Sequence, residues 1–164
     1  MDKLDSMNDV QFVFGAVLVV ANRMDTLLER ELKEFGITAK QWFMSVVMDN
    51  LFLEPPTIKE LAREMGSSHQ NVKQVALKLE QKGLLTLKKD PRDARATRLH
   101  LTDQSRRFWD RTEEKGIAYT KALFKGIDPK DLSAARRALK QMIMNLSAME
   151  QRPSVLGEKN NEEF

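Results

Sequence analysis

Residues 56–101 read PTIKELAREMGSSHQNVKQVALKLEQKGLLTLKKDPRDARATRLHL, and this stretch decides the fold. Thr57 and Glu60 form a capping box, in which each side chain bonds the backbone amide of the other residue at the start of a helix. Apolar residues then recur three or four positions apart, as they do on the buried face of a helix. Gly66 ends this helix, because glycine readily enters the left-handed conformation that follows a helix.

A second predicted helix begins at Ser67 or Ser68, either of which can act as its N-cap, and ends at Gly83. The polar side chains of this helix include no acid near its beginning, and they are Ser68, His69, Gln70, Asn71, Lys73 and Gln74, with Lys78 further along. Gln and Asn can each pair with adenine through two hydrogen bonds, so this face fits the major groove of DNA. A solvated amphipathic helix is the alternative when this helix pair is taken alone.

A hairpin follows the second helix. Residues 84–89 and 96–101 alternate apolar and polar side chains, which is the pattern of two paired strands. The loop between them, Asp90-Pro91-Arg92-Asp93-Ala94-Arg95, carries two arginines, and arginine suits the narrow, strongly negative minor groove. Two helices joined by a short turn and followed by such a hairpin make a winged helix-turn-helix.

The chain resembles the MarR family of transcription regulators over about residues 10–150. The motifs that carry the resemblance are Leu79-Glu80-Gln81-Lys82-Gly83-Leu84, Asp90-Pro91-Arg92-Asp93-Ala94-Arg95 and Leu99-His100-Leu101-Thr102. The family often has an arginine soon after the position of Gly83, whereas residues 84–89 here read LLTLKK, so two lysines are available in its place. The resemblance implies a mainly α fold, α+β by its small wing, and a DNA-binding regulator, with repression favoured.

The predicted DNA-binding residues divide by their chemistry. Base edges are read by hydroxyl, amide and imidazole groups, the imidazole alternatively contacting phosphate, and this set is Ser68, His69, Gln70, Asn71 and Gln74. Ser67 is also predicted to be a DNA-binding residue. The DNA backbone is held by Lys73, Lys78, Lys88 and Lys89. Arg92 and Arg95 lie in or over the minor groove, and Asp90 and Asp93 orient them. Arg98 is predicted to be structural or to face phosphate.

The charge is distributed unevenly along the chain. Residues 57–107 hold 12 Lys and Arg against 6 Asp and Glu, a net +6, while the rest holds 15 against 18, a net −3. A polyanionic partner is the simplest reason for this concentration of positive charge. A winged helix that binds a protein partner instead of DNA is the alternative, and the basic helix and wing argue against it.

Composition excludes several other classes. The chain has 164 residues and no cysteine, so a disulfide framework, a thiolate metal site and a cysteine redox switch are excluded. Its two histidines, His69 and His100, fall in the predicted DNA-binding helix and wing strand, and neither a metal nor another cofactor is expected. The sequence shows no cysteine nucleophile, glycine-rich phosphate loop or paired-carboxylate motif, so an enzyme is not expected.

The sequence favours a cytoplasmic protein without a membrane partner. It shows no N-terminal signal pattern. The apolar run at residues 17–21 is far shorter than the ~20 residues that a bilayer requires.

Helices are predicted on both sides of the central stretch, at about residues 7–34, 38–50, 102–125 and 129–149. The first is apolar on two faces, and the last repeats apolar residues with a period of 3.5, the pattern of a helix that packs along a partner helix. Packing within the chain is one explanation and a two-fold dimer is the other, and the family resemblance favours the dimer. The residues predicted at its interface are Phe14, Val17, Leu132, Leu139, Met142 and Leu146.

The resemblance also divides the chain into lobes. Residues 7–36 and 103–150 form a helical dimerisation lobe, and residues 37–102 form the winged helix-turn-helix lobe. Residues 151–164 are polar, contain Pro and Gly, and are predicted to be disordered, and residues 1–6 are predicted to fray. A two-fold dimer predicts a pseudo-palindromic operator in double-stranded DNA, with half-sites one helical turn, ~10 base pairs, apart.

MarR-like proteins commonly bind a small aromatic or anionic effector between the two lobes. By resemblance, the cleft would be lined by the first, second and fifth helices, and a repressor would leave DNA when the effector binds. The candidate lining residues are Met24, Trp42, Phe43, Phe108 and Arg111. The alternative is that these are plain core residues, and the pattern after the Thr38-Ala39-Lys40-Gln41 capping box predicts Trp42, Phe43, Val46 and Val47 facing inward.

Overall fold

The computed structural model describes residues 7–93 and 95–150. The elements of these residues, in chain order, are α1 (Asp9–Leu32), α2 (Ala39–Leu51), α3 (Ile58–Glu64), α4 (His69–Gln81), β1 (Leu85–Lys89), β2 (Thr97–Leu101), α5 (Asp103–Leu123) and α6 (Pro129–Glu150). A short 3-10 turn, Lys33–Phe35, extends α1. The predictions of frayed residues 1–6 and of a disordered tail at residues 151–164 lie outside the described residues.

The chain forms two compact units, Met1–Tyr119 and Thr120–Phe164. The first unit contains α1 to α4, the two strands and most of α5. The second contains the end of α5 and the whole of α6. The predicted mainly α fold with a two-stranded wing is confirmed.

Local hydrogen bonds fix the starts of the helices, as the sequence predicts. The Thr57 amide donates to Glu60 Oε2 at 2.7 Å, and the Glu60 amide donates to Thr57 Oγ1 at 3.2 Å. Ser68, rather than Ser67, caps α4, because its Oγ accepts from the Asn71 amide at 3.1 Å. The turn between α3 and α4 passes through Gly66 at φ 56°, a left-handed conformation that favours glycine. The capping residues and Gly66 therefore determine where the two helices of the helix-turn-helix begin and where the turn between them lies.

The wing is an antiparallel pair with the register that the alternation predicts. Leu85 opposes Leu101 and Leu87 opposes Leu99, which places these leucines on the core side. The Leu99 amide donates to the Pro56 carbonyl at 2.9 Å, so the segment before α3 lies along the outer edge of β2. The wing is consequently anchored to the helix-turn-helix as well as to itself.

The core lies where α2, α3, α4 and the wing meet. Its largest fully buried apolar side chains come from all of these elements, and they are Met44, Leu61, Val72, Leu79, Leu85 and Leu99. The prediction that Phe43 faces inward is wrong, since Phe43 is 43% exposed. The rotation of α2 is set instead by Met44, Val47 and Met48, which recur at the helical spacing of three and four and are all buried.

Two helices keep much of their apolar surface exposed. In α1 only Leu32 is buried, and the exposed large apolar residues of this helix are Val10, Phe12, Val13, Phe14, Leu18, Val19, Val20 and Leu27. No residue of α6 is buried. By length and composition alone, Asp9–Phe35 could cross a membrane. A helix that packs against another protein surface passes the same test, so this feature is weak support for a membrane segment.

Candidate nucleic-acid interface

A cleft of about 940 Å³ opens between the helix-turn-helix and the wing. It is lined by the start of α3, the start of α4 and the inner side of the wing loop. Five cationic side chains line it, and they are Lys59, Arg63, Lys73, Lys89 and Arg95. His69 also lines it, together with the carboxylates of Glu60, Asp90 and Asp93. A cleft lined mainly by one sign of charge focuses the field on a ligand of the opposite charge.

The three carboxylates of the cleft are held by local hydrogen bonds. Glu60 accepts from the Thr57 amide and from Thr57 Oγ1, and these bonds lower the pKa of Glu60 despite the opposing effect of desolvation. Asp93 Oδ1 accepts from the Arg95 amide at 2.9 Å. Asp90 Oδ1 accepts from the Arg92 amide at 2.8 Å, and this bond is the main cause of a lowered pKa at Asp90. All three carboxylates are therefore engaged in hydrogen bonds within the fold.

Six cations of α4 and the wing have no such partner among the described residues. Among residues 7–93 and 95–150, no carboxylate lies within ion-pair distance of Lys73, Lys78, Lys88, Lys89, Arg92 or Arg95. All six side chains are exposed. Exposed cations without internal partners are available to phosphate groups.

α4 presents its polar face to solvent at the mouth of the cleft. Val72, Ala76 and Leu79 are buried, which fixes the rotation of the helix. The opposite face is exposed, and its polar residues near the start of the helix are Ser68, His69, Gln70, Asn71, Lys73 and Gln74. Ser67 is half-buried, with its amide bonded to the Ala62 carbonyl at 2.9 Å. The arrangement brings together all of the predicted base-reading residues, with Ser67 at the margin.

The wing loop is ordered through backbone amides. Asp90 and Asp93 each accept from the amide two residues ahead, which is an Asx turn, and neither carboxylate pairs with the guanidinium of Arg92 or Arg95. The turns shape the loop and leave both guanidinium groups exposed. Orientation of these arginines by Asp90 and Asp93 remains a prediction. The geometry supports an indirect form of it, in which the aspartates bind the backbone amides of the arginines and not their side chains.

Arg98 lies on β2, and its side chain is hydrogen-bonded within the fold. Its Nε donates to Asp90 Oδ2 at 2.7 Å, and its NH1 donates to the Pro55 carbonyl at 2.7 Å. Of the two predicted roles for Arg98, this geometry favours the structural one. On the same strand, His100 is half-buried, and desolvation, then Lys88 and Arg98, lower the pKa of this imidazole.

Sequence analysis missed two cations of the cleft, Lys59 and Arg63. Both belong to α3, where Ile58, Leu61 and Ala62 face the core. The available signal was their spacing of four, which places them together on the polar face of the first helix of the motif. In a helix-turn-helix this helix crosses the DNA backbone, so the two cations extend the surface that phosphates can meet.

The five candidate effector-binding residues all lie in the first unit. Phe108 packs edge-to-face against Phe35, with ring centroids 6.4 Å apart. The Arg111 guanidinium lies 5.8 Å from the centroid of the Phe108 ring. Trp42 and Met24 are half-buried, and the Met24 carbonyl accepts from the Tyr119 hydroxyl at 3.1 Å. The side chain of Phe43 is exposed. Phe108, Trp42 and Met24 are therefore partly packed, whereas Arg111 is exposed.

The predicted dimer residues differ in exposure. Phe14 and Leu139 are exposed, as is Leu146, while Val17, Leu132 and Met142 are half-buried. On α6, Leu139, Ile143 and Leu146 leave a continuous apolar strip uncovered within the unit that contains this helix.

Comparisons with known proteins identify the family. A sequence model of the MarR family matches residues 52–96, which cover the helix-turn-helix, the first strand of the wing and the wing loop. Uncharacterised protein Rv2011c of Mycobacterium tuberculosis is 34% identical over 114 residues, covering 69% of this chain and 77% of that protein. An uncharacterised protein of Mycobacterium bovis, Mb2034c, matches equally.

Solved structures share the fold at lower identity. AbsC, a MarR family transcriptional regulator from Streptomyces coelicolor, superposes with a TM-score of 0.75 at 20% identity, covering 87% of this chain and 97% of AbsC. The S. aureus MepR–DNA complex gives 0.71 at 16% identity, covering 85% and 99%. CouR from Rhodococcus jostii RHA1, bound to p-coumaroyl-CoA, gives 0.69 at 18% identity, covering 83% and 92%.

The fold and the cationic cleft define a winged helix-turn-helix protein of the transcription-regulator class. The chain belongs to the MarR family. MarR family proteins are transcription regulators and not enzymes, so the resemblance stated from the motifs at residues 79–84 and 90–95 is confirmed.

Proposed function

We propose that the protein is a homodimeric repressor that binds a pseudo-palindromic operator and is released by a small effector. The observation that carries the DNA-binding part is the cleft between α4 and the wing. Of its cations, Arg63 pairs with Glu64, and the other four have no acidic partner among the described residues. The MepR complex with DNA supports the same use of this fold.

The proposed contacts follow the geometry of the interface. The start of α4 enters the major groove, where Gln70, Asn71 and Gln74 meet base edges. Lys73, Lys78, Lys88 and Lys89 meet phosphates on either side. Arg92 and Arg95 reach the adjacent minor groove from the wing loop. Lys59 and Arg63 add backbone contacts from α3.

A gel-shift panel tests the assignment directly. Gln70→Ala, Lys88→Ala and Arg95→Ala are each expected to weaken binding to one operator. Lys40→Ala is the matched control, because Lys40 is an exposed cation at the start of α2 that does not line the cleft. Wild-type binding by all three interface variants would contradict the proposal. Binding of random-sequence DNA with a steep salt dependence separates it from a protein-interaction module.

The dimeric part of the proposal rests on uncovered apolar surface. α1 and α6 each carry exposed large apolar side chains, more than isolated helices of a monomer usually leave in water. Residues 7–36 and 103–150 are proposed as the dimerisation lobe and residues 37–102 as the DNA-binding lobe. A protein that covers α1 in this way has no need of a membrane, and a cytoplasmic location belongs to the same proposal.

An aromatic or anionic effector is proposed to bind beside Trp42, Phe108 and Arg111. The Phe35–Phe108 pair offers aromatic surface, and Arg111 offers a positive charge next to it. CouR, which was solved with p-coumaroyl-CoA, supports ligand binding on this fold. Thermal stabilisation by candidate aromatic acids, with parallel loss of operator binding, tests the effector. An Arg111→Ala variant stabilised as much as wild type would exclude Arg111 from the site.

A further inference from the structure

The wing is bonded to the rest of the chain along both edges at one residue pair, Leu87 and Leu99. In an antiparallel sheet, alternate pairs exchange both hydrogen bonds, and the pairs between them direct their amides away from the partner strand. The Leu99 amide is directed to the Pro56 carbonyl at 2.9 Å. The Leu87 amide is directed to Glu80 Oε1, also at 2.9 Å. The second bond ties β1 to α4, the proposed recognition helix.

Glu80 is in an electrostatically unfavourable place for a carboxylate. It is the second-last residue of α4, where the helix dipole favours a cation over an anion. A carboxylate that accepts from a backbone amide makes a charge-assisted hydrogen bond, which is about twice as strong as a neutral one. The bond to Leu87 also satisfies an amide on the outer edge of β1, for which the two-stranded sheet offers no partner.

The position of this bond determines what it restrains. Between α4 and β1 the chain turns sharply at Gly83, whose φ of 70° is a left-handed conformation. The bond from Glu80 to the middle of β1 closes a small ring across that turn. Together with the Leu99–Pro56 bond, it therefore restrains the angle between the axis of α4 and the wing that carries Arg92 and Arg95.

We propose that Glu80 is a positioning residue that sets the reach of the wing arginines relative to the recognition helix. This inference rests on the proposed function, because it assigns the two elements to different grooves. Glu80 itself does not line the cleft. Its effect is to make simultaneous binding in the major and minor grooves possible without further ordering of the wing.

Three substitutions at Glu80 separate reach from charge. Glu80→Ala removes the acceptor, Glu80→Asp keeps the charge but shortens the side chain, and Glu80→Gln keeps an acceptor oxygen at the same reach without the charge. Gln81→Ala is the matched control, because Gln81 is the exposed neighbour on α4. If Glu80→Ala is too unstable to study, Glu80→Asp still differs from wild type in reach and Glu80→Gln still differs from wild type in charge.

The first measurement uses the protein without DNA. Hydrogen exchange at the Leu87 amide, followed by NMR, is expected to be about tenfold faster in Glu80→Ala and Glu80→Asp, the equivalent of one hydrogen bond. Glu80→Gln is expected to fall between Glu80→Ala and wild type, because its neutral oxygen makes a weaker bond, and Gln81→Ala is expected to keep the protection of wild type. Unchanged protection of the Leu87 amide in Glu80→Ala would show that Glu80 does not hold this amide and would overturn the proposal.

The second measurement uses operator DNA. Glu80→Ala is expected to lose hydroxyl-radical protection in the minor groove under the wing while keeping major-groove protection under α4. Glu80→Gln is expected to restore the minor-groove protection. A change that only destabilised the fold would reduce protection in both grooves equally. That result would overturn the positioning role. If wild type gives no footprint, the proposed function fails. The exchange rate of the Leu87 amide still decides whether Glu80 and Leu87 are hydrogen-bonded.

Discussion

Arg98 Nε lies 2.7 Å from Asp90 Oδ2, and this ion pair joins the base of the wing loop to the second strand. The Arg98 side chain is 21% exposed and that of Asp90 is 5% exposed. Because Arg98 also donates to the Pro55 carbonyl, the pair connects the loop to the segment that leads into α3. Three parts of the chain thus meet at one guanidinium group.

Removal of either partner of this pair is expected to lower the melting temperature. An ion left without its partner in a nearly buried site loses both solvent and counter-charge. Arg98→Ala and Asp90→Ala, with the double variant, form a thermodynamic cycle that measures their coupling. Arg106→Ala is the control, because its pair with Asp103 is exposed on both sides and contributes little. Additive effects of the two single changes would contradict the coupling.

Acid sensitivity is expected to depend on Glu60. Hydrogen bonds from the Thr57 amide and hydroxyl lower the pKa of Glu60 in the folded protein. A carboxyl with a lowered folded pKa stabilises the fold above its unfolded pKa, and this contribution is lost as the pH falls through the folded value. Wild type should therefore lose stability as the pH drops below the ordinary glutamate value of 4.5.

Glu60→Gln separates the charge from the cap in this test. Glutamine serves equally in a capping box, as Gln41 does at the start of α2, but it does not titrate. Urea unfolding of Glu60→Gln should show a shallower loss of stability with falling pH than wild type. Glu64→Gln, at an exposed neighbouring position, should follow wild type. Parallel curves for wild type and Glu60→Gln would refute the assignment.

Leu99 is expected to be the most sensitive apolar position of the wing. It is fully buried between β1 and the helices. Leu99→Ala should lower the free energy of unfolding by about 2–5 kcal/mol, since it removes buried methyl groups and leaves a cavity. Leu53→Ala makes the same chemical change at a fully exposed position and should alter stability by less than about 0.5 kcal/mol. Denaturant titration of both variants compares them, and equal losses would contradict the core assignment.

Features that depend on neighbours in sequence were predictable. The Thr57–Glu60 and Thr38–Gln41 capping boxes need only a spacing of three residues, and both form. The register of the wing followed from strict alternation, because a slip by one residue would move every leucine to the outer face. These signals fixed the helix-turn-helix and the wing before any tertiary contact was known.

Features that depend on the rotation or docking of an element were not predictable. Phe43 and Met44 are adjacent and apolar, and only packing of α2 on the core decides that Met44 is buried and Phe43 exposed. Arg98 could face phosphate or the fold on sequence grounds, and the Asp90 carboxylate, eight residues away, decides between them. Glu80 and Leu87 meet only once the turn at Gly83 has folded the wing back on α4.

Base recognition and phosphate binding are expected to respond differently to substitution. Gln70→Ala should cost about 1–3 kcal/mol of operator binding and relax the preference at one base pair, because it removes a base-edge contact. Lys73→Ala should weaken operator and random DNA alike and reduce the slope of log affinity against log salt by about 1. Salt titrations of both variants on both DNAs distinguish the roles. An unchanged base preference in Gln70→Ala would remove Gln70 from the reading set.

Self-association is expected to depend on the apolar strip of α6. Leu139 is 45% exposed and follows the period of 3.5 that runs through this helix, so a glutamate there would bury a charge in a dimer interface. Sedimentation velocity should show Leu139→Glu as a monomer where wild type is a dimer. Lys140→Glu introduces the same side chain one residue further along, off the apolar strip, and should remain dimeric.

This pair of variants also links assembly to DNA binding. A monomer presents one α4 and one wing, so it meets one half-site and loses the gain from joining two binding events. Leu139→Glu should therefore lose affinity for a full operator while retaining the weak affinity of wild type for an isolated half-site. If Leu139→Glu remained a dimer, α6 would not form the interface. If it became monomeric with undiminished affinity for the full operator, two-fold binding would be excluded, because one copy would then account for all of the contacts.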